Sequence, residues 1–146
     1  MAANKQPIYT LTPDIQWGAA DGNGGAAGPL KTANTAKDGT GTVLTIFTAD
    51  ATNGGFISRI IARPAGTNTA SVLRVFINNG STNATIANNV MIAELTLTAT
   101  TLSEVAALPP YEIPLGFALP AGYKLNVTIG TTIAAGIFVS AIGGKY

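Results

Sequence analysis

The sequence predicts an all-β fold: a β-sandwich of seven or eight strands in a Greek-key or jelly-roll arrangement, preceded by an extended N-terminal arm. Three observations lead there. From residue 42 onward, short apolar runs rich in Val, Ile, Phe and Thr alternate with clusters of Gly, Asn and Pro, the texture of strands and turns. Several of these runs alternate apolar and polar residues with a period of two, which marks a sheet with one buried face. No segment carries the 3.6-residue period of a helix over a useful length.

Taken in order, residues 17–41, WGAADGNGGAAGPLKTANTAKDGTG, show no period of either kind. They place an extended arm at 1–37 and the sandwich at 38–146. A first strand is expected at 42–48. In FISRIIAR, residues 56–63, a period of two puts Arg59 and Arg63 on one face with Ile57 and Ile61. Such a mixed face meets a partner or a covering loop. A strand at 71–78 follows. In MIAELTLT, residues 91–98, Met91, Ala93, Leu95 and Leu97 point inward, and Glu94, Thr96 and Thr98 outward. ATTLSEVAA, residues 99–107, has room for a turn or two of helix before Pro109 and Pro110 stop it.

A strand at 112–117 is followed by KLNVTI, residues 124–129, the clearest alternation in the chain. Leu125, Val127 and Ile129 face the core there, and Lys124, Asn126 and Thr128 face out. GIFVSAI, residues 136–142, is apolar on both faces, as in a central strand covered from both sides. Asn53-Gly54, Asn79-Gly80 and Pro120-Ala121-Gly122 supply turns between strands.

Composition excludes much chemistry. Cysteine and histidine are absent, which removes disulfides, thiolate metal sites, the usual zinc ligands and the commonest general base. Serine nucleophiles therefore lack an imidazole partner. Glu94 and Glu112 are the acids most able to approach each other as a glycosidase pair, yet surface solvation is the expected role of both. DGNGG, residues 21–25, begins like a calcium loop, but Ala26 and Thr32 stand where a glycine and an acid are needed. No enzyme activity, metal or cofactor is expected.

The eight Lys and Arg are scattered, so no nucleic-acid footprint emerges. No run reaches the roughly 18 apolar residues of a membrane span. The start, MAANKQPIYTLTPDIQW, lacks the apolar core of a signal peptide, which implies synthesis in a cytoplasm. Charged residues make up only 10% of the chain and the net charge is +1, against roughly 25% charged in average soluble proteins. A surface so poor in charge implies partial covering in an assembly. Interface candidates are the aromatics Tyr9 and Trp17 with Ile15, at the edge of the glycine-rich arm, and Arg59 and Arg63.

Three segments, DGTGTVLTIFTADATNGGFISRI at 38–60, SVLRVFINNG at 71–80 and LPAGYKLNVTIG at 119–130, resemble virion proteins of tailed phages. The likeness is to the jelly-roll decoration, or cement, proteins on the outer capsid surface. That resemblance implies a homotrimer bound to the major capsid protein lattice, with the arm lying along the shell. Related sandwich domains also occur in head and tail fibres. The alternative is therefore a receptor- or carbohydrate-binding domain using loops such as 80–89.

Overall fold

The computed structural model describes residues 10–16 and 28–146 as two antiparallel four-stranded sheets packed face to face. In chain order the strands are β1 (Thr12–Gln16), β2 (Leu44–Thr48), β3 (Gly55–Pro64), β4 (Ser71–Asn78), β5 (Asn89–Leu97), β6 (Tyr111–Leu119), β7 (Lys124–Ile129) and β8 (Ile137–Lys145). One sheet has the order β1-β8-β3-β6 and the other β2-β7-β4-β5. β1 pairs with β8, β2 with β7, β3 with β6 and β4 with β5. This nested pairing is one long antiparallel ribbon, with the β4–β5 hairpin at its tip, wrapped into two sheets. That is the jelly roll expected from the strand pattern.

The core lies between the sheets. Ile57, Ile60, Leu73, Val75, Leu125 and Val127 are inaccessible to solvent and come from both layers. Burying each such side chain contributes about 1.5–3 kcal/mol relative to leaving it in water.

Bulges change the phase of three strands, and a strict period of two misses them. In β3, Ser58 is an extra residue relative to β8, because Ile57 faces Gly143 while Arg59 faces Ile142. Ile57 is consequently buried, while Arg59 and Arg63 keep Ile61 but not Ile57 on their outer face. In β5, Ile92 is the extra residue, so Met91, expected inward, is 41% exposed. Ile46 plays the same part in β2, where Leu44, Ile46 and Phe47 are all buried. No helix forms over 99–107; the one helical turn among the described residues is the short 3-10 segment Ile86–Asn88. Asn53-Gly54 and Pro120-Ala121-Gly122 carry the chain between sheets rather than between neighbouring strands. Within these two turns positive φ falls on the glycines, Gly54 and Gly122.

β7 departs further from expectation. All of Leu125–Ile129 is buried, including Asn126 and Thr128, which the alternation placed in water. The cause is a cover supplied by the chain itself. Ala33 bridges Ile129, and the Asn34 N–H donates to the Ile129 carbonyl at 2.8 Å. The Asn34 side-chain amide then closes residues 34–42 into a loop by donating to the Thr40 and Thr42 carbonyls at 2.7 and 2.8 Å. This loop reaches Phe76, an outward-facing residue of β4 that has no exposure yet lies outside the core cluster. Asn126 is satisfied there by the Thr45 hydroxyl at 2.8 Å.

Thr128 is not: its hydroxyl is buried without a hydrogen-bond partner. Burying an unpaired hydroxyl is unfavourable. Thr128→Val is therefore expected to be neutral or stabilising by up to about 1 kcal/mol, read as a raised urea midpoint at unchanged slope.

The described residues of the 1–37 stretch are held against the sandwich. β1 is an edge strand, and Leu30 bridges Ile137 at the opposite end of β8. At that end, buried Asn68 ties three connections together. Its backbone exchanges hydrogen bonds with Thr100, its amide donates to the Gly136 carbonyl, and its side-chain oxygen accepts from the Ala135 and Gly136 N–H groups.

Candidate functional site

The two outer faces of the sandwich differ. The loop 34–42 covers the middle of the β2-β7-β4-β5 face, whereas the β1-β8-β3-β6 face carries exposed apolar side chains. The bulge at Ser58 organises that second face. It sets Arg59 in register with Ile142 of β8 on one side and Pro114 of β6 on the other. Ile142 is in turn opposite Ile15 of β1. The next row sets Ile61 between Ser140 and Glu112, and the last pairs Arg63 with Phe138. Ile15 is 56% exposed and Phe138 50%.

Arg59 and Glu112 form an ion pair of 3.5 Å in which both side chains are substantially exposed. Such a pair contributes roughly 0–1 kcal/mol to stability. Its more useful property is that a docking partner can desolvate it, since buried charge-assisted contacts give orientation and specificity. Arg63 is exposed beside Phe138 at the rim. An arginine flanking an aromatic in an otherwise apolar patch is the residue mix enriched at interface centres.

Three of the five interface candidates from the sequence, Ile15, Arg59 and Arg63, thus fall on one face. Tyr9 and Trp17 lie outside the described residues. Phe138 and Ile142 are not among those candidates, because a strand apolar on both faces implies cover on both sides. β8 is central in its sheet, between β1 and β3, but its outer side is open at Phe138. Apolar residues on both sides of a strand signal burial without saying which body does the burying.

Most of the described carboxylates are occupied structurally. Glu94 accepts from Arg74 at 2.7 Å on the outer face of one sheet, and Glu112 engages Arg59 on the outer face of the other. The two acids therefore do not face each other across a cleft. Asp14 pairs with Lys145 at 3.2 Å. Asp50 accepts from the Asn53 and Thr52 N–H groups at 2.8 and 2.9 Å, which holds its carboxyl below the ordinary aspartate range, with Lys145 adding a smaller pull in the same direction. Its contribution is present above the ordinary range and is lost as pH falls through the depressed value. Among the described residues no group of three or more His, Cys, Asp or Glu is placed to hold a metal ion.

The loop 80–89, a candidate for sugar recognition, has its amides engaged by the chain's own groups. Asn79 donates to Asn88, Asn88 to the Thr82 carbonyl, and Asn83 to the Gly41 carbonyl. The described tyrosines are not gathered into a platform either. Tyr111 bonds Thr98 at the end of the sandwich that holds Asn68, while Tyr123 and Tyr146 sit at the opposite end, beside the 50–54 turn.

No protein-family model, no curated protein and no solved structure matches the chain.

Proposed function

We propose that this chain is a structural virion protein that decorates and cements a phage capsid, docking on the major capsid protein lattice through the face of β1, β8, β3 and β6. The observation that carries the proposal is the convergence of Ile15, Ile142, Phe138, Arg59 and Arg63 on one sheet face, while the middle of the other face is covered by the chain's own loop. A jelly roll whose described acids are largely tied into ion pairs or turns, and whose surface is poor in charge, suits work done by contact. The segments that resemble decoration proteins form mainly the covered sheet, β2, β4 and β7, and act as its scaffold. Binding that favours the assembled shell stabilises it by linkage, and hundreds of weak sites accumulate a large effect.

The test is co-sedimentation with capsids stripped of the protein, followed by heating. Wild-type chain is expected to bind and to raise the temperature at which shells open. Phe138→Glu combined with Arg63→Glu is expected to weaken binding by roughly 30-fold or more, the scale of a hot-spot loss of about 2 kcal/mol. Its own melting temperature is expected to stay within a few degrees, because both sites are exposed. Shells that open at the same temperature with and without the protein overturn the proposal. Glycan binding without capsid affinity would assign the chain to a fibre instead.

A further inference from the structure

The core is not sealed equally around its rim. At the flank where β1 and β2 meet, the edge strand β2 buries Leu44, Ile46 and Phe47 almost completely. At the opposite flank, built from the edge strands β5 and β6, the inward-pointing side chains Ile92, Leu95, Ile113, Leu115 and Phe117 pack against the core yet remain only half-buried. Beside them Val90, opposite Ile77, is 56% exposed; Met91, opposite Phe76, is 41% exposed on the outer side of the same edge strand; and Val105, on the connection joining the two strands, is 97% exposed.

Edge strands normally carry devices that discourage pairing. β1 is five residues long and contains Pro13, and β2 is five residues long and bulged. β6 has Pro114, and Gly116 at φ 68° beside a register shift. β5 has nine residues, no proline and no lysine, and its single irregularity at Ile92 leaves Ala93 to Leu97 regularly paired.

We infer that the β5/β6 flank is the surface through which copies of this chain associate with one another, distinct from the open β1-β8-β3-β6 face. Permanent self-association surfaces resemble a domain core cut in half, and this flank is continuous with the core. Its charges permit self-contact: Glu94 is held by Arg74 and Glu112 by Arg59, so neither confronts the other copy as a naked carboxylate. The size reaches the lower bound for a stable contact. Two nine-residue strands are about 30 Å long, and two sheets with their side chains are about 20 Å across, giving roughly 600 Å² per copy before side-chain relief. Two copies together would bury roughly 1,200 Å², where the range of stable interfaces begins. This inference stands whether or not the capsid proposal does.

Light scattering on the purified chain tests it. The expected mass is at least twice 14.8 kDa, and Val90→Lys combined with Met91→Lys is expected to reduce it to the single-chain mass with an unchanged circular dichroism spectrum. Phe138→Glu, on the other face, is expected to leave the multiple intact. A wild-type mass of one chain at about 100 µM, a concentration that populates any tighter association, overturns the inference. So does a lysine double variant that folds and keeps the multiple. If that variant does not fold, hydrogen exchange of the wild type across a dilution series decides. Protection over 89–97 and 111–119 that falls on dilution supports the inference, and protection there that ignores concentration overturns it.

Discussion

Gly143→Ala is expected to destabilise the protein by about 3–5 kcal/mol, a large share of the 5–15 kcal/mol that holds a typical domain together. A Cβ at residue 143 would sit 2.0 Å from the Phe56 carbonyl oxygen and 3.0 Å from the Ile57 Cα. Both atoms belong to the main chain of β3, so no side-chain rotation gives relief. β3 cannot retreat either, because it is paired with β8 on one side and β6 on the other. Overpacking a core usually costs about 1–3 kcal/mol, and a clash with a doubly paired backbone exceeds that. Gly122→Ala provides the contrast. Nothing lies within 4 Å of its added methyl group, and only its φ of 73° opposes the change, a cost of about 1–2 kcal/mol. Urea midpoints for the two variants separate steric from conformational cost; equal losses would remove the close-approach argument.

Asn68→Ala is expected to lower the melting temperature by roughly 10 °C, corresponding to about 3 kcal/mol in a domain of this size. The substitution removes one donor and one acceptor that serve three backbone groups: the Gly136 carbonyl at 2.8 Å and the N–H groups of Ala135 and Gly136 at 2.8 and 3.0 Å. Each group left unpaired costs about 1–3 kcal/mol, less whatever water recovers. Asn68→Asp retains the acceptor, but loses the donor and sets a carboxylate against a carbonyl. It is expected to rescue little. A melting temperature within 2 or 3 °C of wild type for Asn68→Ala would show that the three connections hold without their common tie.

The strands were legible because burial on one face writes itself into a period of two, as in the inward Ala93, Leu95 and Leu97 of β5. Bulges were not, because the extra residue at Ser58 looks like any other polar position until its neighbours' partners are known. β1 escaped notice for a different reason. TPDIQ contains a proline, three polar residues and a single apolar one, and an edge strand needs only one good hydrogen-bonding side. The burial of Asn126 and Thr128 depends on a loop more than 80 residues away in sequence, which local pattern cannot contain. Of the candidate face, the sequence offered Arg59 and Arg63 together on one strand face and Ile15 apart from them; the meeting of all three is a property of β8 lying between β1 and β3.

The nested ribbon also governs how this molecule comes into being. Only the β4–β5 hairpin joins strands that are neighbours in sequence, whereas β8, which follows all the others, occupies an interior position of its sheet. Chains dominated by such remote pairings reach the native state slowly, in milliseconds to seconds. During synthesis β3 is exposed before the strand that must cover its side has left the ribosome. The emerging chain therefore keeps sticky edges until β8 is free to take its place between β1 and β3.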